Sequence, residues 1–192
     1  MSTEQIKINP NAPPTQAQPA VFSPKSITVN AGDNLTWFNN DISAGNAHWP
    51  APSANDRTGW FQYQIPPGSE SRGDLALGGN LVTVNVIAAT NANPAVLTTQ
   101  GPAPATGLKV QLSYTPPTPP PSSPSPWKAA TDTKWFVATN LGTNKCSIPL
   151  DSTALGPLIG SIVMTVPTPY TLNYVCALHP DEKGTITVNP QQ

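Results

Sequence analysis

Prolines set the first limit on this chain. Twenty-five of them, with thirteen glycines, are spread through 192 residues rich in Thr, Ser and Asn. A proline inside a helix removes a backbone hydrogen bond and clashes with the preceding turn. No segment keeps a helical period beyond about two turns, so the chain reads as short strands joined by many turns.

The strands show themselves by period-two alternation. In "SITVNAGDNLTWFNND", Ile27 and Val29 alternate with polar residues, "NAGDN" supplies a turn, and Leu35 and Trp37 resume the period. "LVTVNVIA" sets Val82, Val84 and Val86 on one face, and "LKVQLSY" does the same with Leu108, Val110, Leu112 and Tyr114. "SIVMTV" carries Ile162, Met164 and Val166, and "YTLNYVC" carries Tyr170, Leu172, Tyr174 and Cys176 in alternation. "GTITVNP" adds Ile186 and Val188. The expected architecture is an all-β sandwich.

One stretch breaks the pattern. "YTPPTPPPSSPSPW", Tyr114 to Trp127, cannot form a ladder and is expected as extended, polyproline-like chain on the surface. We read it as an excursion within one fold rather than as a linker between two.

Charge excludes several classes of partner. Charged residues make up 10% of the chain and the formal charge is −1, against roughly 25% charged residues in an average globular protein. Nothing here points to nucleic acid or to electrostatic membrane docking. No apolar run approaches the ~18 residues of a membrane span. "MSTEQIKINP" lacks a basic start followed by an apolar run, so it does not read as a signal peptide. Either the protein is cytosolic or the chain is the mature form of a periplasmic or secreted protein, and the composition favours the second.

Reactive side chains are scarce and concentrated. "YVCALHPDEKGTITV", Tyr174 to Val188, holds one of two cysteines and one of two histidines, with Cys176 and His179 three positions apart on what reads as a loop between strands. A thiolate and an imidazole so spaced can hold one soft or borderline metal ion. The only other imidazole is His48, in "NDISAGNAHWPAP". The alternative is a Cys146–Cys176 disulfide, common in small exported β-proteins. It would consume the thiolate, so the two readings exclude each other.

The segments around these residues resemble those of a known family. "VFSPKSITVNAGDNLTWFNND…AHWP" is similar to the front half of small cupredoxins, which precedes their first copper-binding His. "YVCALHPDEKGTITV" resembles the short Cys-x-x-His-x-x-Met-x-Gly loop that closes them. The resemblance covers about a third of the chain and implies a Greek-key β-sandwich of cupredoxin type, a single domain over 1–192. It implies one copper ion per chain, with His48, Cys176 and His179 as equatorial ligands. The chain departs from the family at the fourth position, where Glu182 stands in place of the axial Met, and Met164 lies well before the loop. It departs again in the long stretch between His48 and Cys176, set down as an insertion over about 78–160.

The resemblance implies a one-electron carrier rather than an enzyme. A transient redox partner would dock beside His179 and its neighbours Ala177, Leu178 and Pro180, and a carboxylate at the metal would lower the reduction potential. Two other functions stay open at this point. One is a red-copper centre, similar to nitrosocyanin, with an open position for small-molecule binding or catalysis. The other is a metal-free β-sandwich for adhesion or assembly. Multicopper oxidases and copper nitrite reductases need further histidines that this chain lacks. Trp37, Trp49 and Trp60 read as packing, and Cys146 as a free thiol.

Overall fold

A computed structural model describes residues 2–10, 22–42, 46–53, 63–71 and 75–190. Trp60 lies outside them. Among the described residues the protein is nearly all β. In chain order the elements are β1 (Thr3–Ile8), β2 (Phe22–Ser23), β3 (Ser26–Asn30), β4 (Asn34–Asn39), β5 (Pro50–Pro52), β6 (Leu75–Ala76), β7 (Asn80–Ala89), β8 (Ala95–Thr99) and β9 (Lys109–Thr115). A short helix, α1 (Pro126–Thr131), follows. Then come β10 (Lys134–Val137), β11 (Thr139–Gly142), β12 (Lys145–Ile148), β13 (Ser161–Thr168), β14 (Tyr170–Cys176) and β15 (Lys183–Asn189). No helix among the described residues is long and apolar enough to cross a membrane.

The chain forms two compact units, residues 1–79 with 169–189, and residues 80–168 with 190–192. The stretch that the sequence sets apart as an insertion, 78–160, falls almost wholly in the second.

The first unit is a sandwich of two four-stranded sheets, ordered β2-β1-β4-β6 and β3-β15-β14-β5. Each sheet holds one parallel pair, β1 with β4 and β3 with β15. Alternation supplies the inner faces: Ile6, Ile8, Leu35 and Trp37 from the first sheet, Leu172, Tyr174, Cys176, Ile186 and Val188 from the second, all buried. Aromatic edges join the sheets. The Tyr174 ring meets Phe22 at 4.8 Å and Trp37 at 5.8 Å between centroids, both close to T-shaped, the arrangement that ring quadrupoles favour. The turn from β3 to β4 needs Gly32, whose φ is +95°, a value that a Cβ disfavours.

The second unit is built on a seven-stranded sheet, ordered β10-β9-β13-β7-β8-β12-β11. The two end strands are consecutive in the chain, with Ala138 alone between them. One run of chain thus pairs first with β9 and then with β12, which wraps the sheet into a nearly closed barrel and leaves little open edge. Its own core contains Leu97, Leu112, Ile148, Ile162 and Met164. Met164, the internal methionine, is therefore committed to packing. The Pro-rich stretch is anchored at both ends. Tyr114 is buried in β9, and Trp127 of α1 is fully buried with its indole N–H donating to the Gly156 carbonyl at 2.9 Å. Only the middle, 116–125, is the mostly exposed chain that the prolines predict.

Candidate metal centre

The site forms where β5 meets the end of β14. Cys176, the last residue of β14, lies opposite Pro50 in the β5 pairing. This brings the segment just before β5 alongside the cysteine. Trp49 is clamped there by its backbone: its N–H donates to Cys176 Sγ at 3.3 Å, and its carbonyl accepts from Ala177 N–H at 2.8 Å. His48, one residue earlier, exchanges two backbone hydrogen bonds with Ile65, at 3.1 and 2.7 Å.

Two consecutive turns bring the other donors back to the cysteine. His179 N–H donates to the Cys176 carbonyl at 3.1 Å, and Glu182 N–H donates to the His179 carbonyl at 2.9 Å. Each is the i to i+3 bond of a β-turn, and Pro180 stands second in the later turn, where its fixed φ suits the geometry. Cys176 N–H then closes the loop on the Glu182 carbonyl at 2.9 Å. In this way the spacing 176, 179, 182 becomes three side chains converging on one point.

All four sequence-identified residues come together. One potential ligand atom from each of His48, Cys176, His179 and Glu182 lies within 4.8 Å of the others. Glu182 Oε2 is 2.9 Å from His48 Nδ1 and 3.6 Å from His179 Nδ1. Cys176 Sγ is 3.8 Å from His48 Nδ1 and 3.4 Å from His179 Nδ1. The imidazole rings lie 4.9 Å apart, tilted by 51°. His48, Cys176 and Glu182 are buried, whereas the His179 side chain is 43% exposed and Leu178 beside it is exposed too.

Burying a carboxylate carries a large desolvation cost unless something compensates it. Glu182 is 4% exposed and faces both imidazoles, so it is not the solvated loop carboxylate that its neighbours Asp181 and Lys183 would lead one to expect. His48 responds to these surroundings. Burial, the largest single effect, pushes its pKa down, but hydrogen bonds to Cys176 and Glu182 and the negative charge of both together raise it to about 9. His48 Nε2 is buried with no hydrogen-bond partner among the described residues, so the polar contacts of the ring run through Nδ1 into the cluster.

Both cysteines are free. No disulfide uses the Cys176 thiol, and Cys146 sits in the core of the second unit. Burial raises the Cys146 pKa to about 11. A sulfur, two imidazole nitrogens and a carboxylate oxygen form a group that can hold a metal ion. The Trp49 N–H aimed at the sulfur has no sequence signal, because a backbone donor leaves no mark in a side-chain pattern. Comparison of the sequence with protein-family models finds no match, and comparison with curated proteins finds none either.

Proposed function

We propose that this protein is a mononuclear copper protein of cupredoxin type that carries single electrons, with His48, Cys176, His179 and Glu182 holding the ion. The observation that carries the reading is the donor set itself: one thiol sulfur and two Nδ1 atoms, gathered from a turn-locked loop and the clamped segment just before β5, with one of the imidazoles reaching solvent. Thiolate and imidazole donors together suit copper, and copper heads the affinity order of divalent first-row metals at such sites. The ion would supply one-electron cycling between cupric and cuprous states.

The residues of the chain do the rest. Hydrogen-bonded turns and the β5–β14 pairing hold the donors in one arrangement, so little has to move when an electron arrives or leaves. The Trp49 N–H draws electron density from the Cys176 sulfur, which favours the reduced state. Glu182 adds negative charge beside both imidazoles, which favours the oxidised state. A carboxylate charge in a buried site outweighs one neutral backbone dipole, so the potential lies below that of a relative with a thioether in this place. His179 offers the exposed edge of the site, and with Leu178 and a weakly charged surface it suits a transient redox partner docking over a small area. An exported location fits such a carrier.

Copper titration followed by visible absorption and electron paramagnetic resonance tests the proposal. One equivalent per chain should bring up an intense thiolate-to-copper band together with a cupric signal. A protein that takes up no copper, or takes it up without thiolate charge transfer, overturns it.

A further inference from the structure

His48 stands outside the regular strands, and its backbone is held by its pair of hydrogen bonds to Ile65. The Ile65 carbonyl that accepts the His48 N–H also accepts from the side chain of Asn39, at 3.1 Å. Asn39 ends β4 and is fully buried. Its second amide hydrogen goes to the Asn46 carbonyl at 2.9 Å, two residues before His48, and its Oδ1 accepts the Asp41 N–H at 3.0 Å. The amide orientation is unambiguous, because a flip would set Oδ1 against two carbonyl oxygens and the NH2 group against an N–H. The backbone of Asn39 is occupied as well: its N–H donates to Ser69 and its carbonyl accepts from Gly68, at 2.8 and 2.9 Å. One buried side chain thus grips the segment leading to His48 and the segment that pairs with it.

We infer that Asn39 is a positioning residue for the metal centre, fixing His48 through Asn46 and Ile65 rather than touching the ion. Chemistry requires an amide at this point. Two carbonyl oxygens and one N–H converge on a buried position, and only a group with two donors and an acceptor meets all three. Asp offers no donor when ionised, and Leu of similar size leaves the Asp41 N–H and the Asn46 carbonyl without this partner and the Ile65 carbonyl with the His48 N–H alone. Losing an outer partner of a ligating histidine typically lowers metal affinity about 10–100-fold, and a loss of that size is expected here. The inference rests on the reading of His48 as a metal donor.

Two measurements on Asn39→Asp and Asn39→Ala test it. In the metal-free protein, amide hydrogen exchange at His48 and Ile65 should speed up in both variants, while the amides of the β14–β15 pair keep their protection. In metal titrations with copper and with zinc, each variant should bind about 10–100-fold more weakly. In a His48→Ala background the same substitutions should change affinity by less than about threefold, because a positioning effect disappears with the residue positioned. Equal losses in both backgrounds, or unchanged exchange at His48, overturn the inference even where metal binding is confirmed. A parent protein that binds neither ion overturns the metal reading, and the exchange data then decide separately whether Asn39 fixes His48.

Discussion

Gly184 lies directly opposite Tyr174 in the β14–β15 pair, and the tyrosine ring occupies the space that a side chain at 184 would need. A Cβ there would stand 2.5 Å from Cε1, with Cζ and Oη nearer still. The ring also bridges to Phe22 and Trp37. The glycine therefore lets one aromatic side chain both cover its own hairpin and join the two sheets. Gly184→Ala is expected to cost the first unit about 1–3 kcal/mol, as overpacking does. Combining it with Tyr174→Leu should make the added methyl nearly neutral relative to Tyr174→Leu alone. Thermal unfolding of the four proteins checks this, and equal costs in both backgrounds would contradict it.

The two thiols are expected to behave differently. Cys176→Ser should abolish the thiolate-to-copper absorption, since the sulfur is the source of that band. Cys146→Ala should leave copper stoichiometry and colour unchanged, because Cys146 belongs to the core of the second unit. In the native protein Cys146 should react slowly with thiol reagents, buried as it is and with its pKa raised to about 11. Colour that survives in Cys176→Ser would refute the donor set.

On the copper reading, Glu182 sets the direction of tuning. Glu182→Met removes a negative charge that favours the oxidised state, so the reduction potential should rise and the spectrum should move towards blue. Glu182→Gln should weaken cupric more than cuprous binding. Voltammetry of the three proteins decides, and identical potentials would mean that the carboxylate does not act on the ion.

Metal-free protein should lose stability at high pH. His48 has a pKa of about 9 in the folded chain, against roughly 6.5 when unfolded. The protonated ring is stabilised by folding, so this contribution is complete below about pH 6.5 and is lost as pH rises through about 9. Thermal unfolding across that range should show a falling midpoint, and His48→Gln should flatten the fall. A parent midpoint that stays level would show that the His48 proton is not held by Cys176 and Glu182.

Proteolysis should find the middle of the Pro-rich stretch. Residues 116–125 are mostly exposed, whereas Tyr114 and Trp127 are buried at either end. A protease of broad specificity should cut within 116–125 before it cuts near Trp127. First cleavage at Trp127 would show that the α1 anchor is loose.

The legibility of the sequence was uneven for identifiable reasons. Period two found the core faces of β3, β4, β9, β13, β14 and β15, because one-sided burial leaves an alternating record. In β7 the record is weaker: Val86 is buried, while Val82 is 39% exposed. Asn39 falls on the same alternation as Leu35 and Trp37, and a polar residue at an inward position was the available sign of its buried network. Nothing in the sequence marked the Trp49 N–H, since every residue but proline carries one.

By itself, the sequence determined the all-β class, the inventory of donors and the local turns. Proline frequency excludes long helices, two histidines and two cysteines limit any soft metal site, and the spacing 176, 179, 182 is short enough for neighbouring backbone bonds to shape it. Tertiary structure alone decided that His48 meets that loop, that Glu182 turns inward, that Cys146 and Cys176 form no disulfide, and that residues 80–168 close around a second core. These outcomes depend on pairings such as β5 with β14 and β11 with β12, which form between segments whose own patterns fit many partners. The choice among partners is made by burial and backbone hydrogen bonding summed over a whole unit, and no single stretch of sequence records that sum.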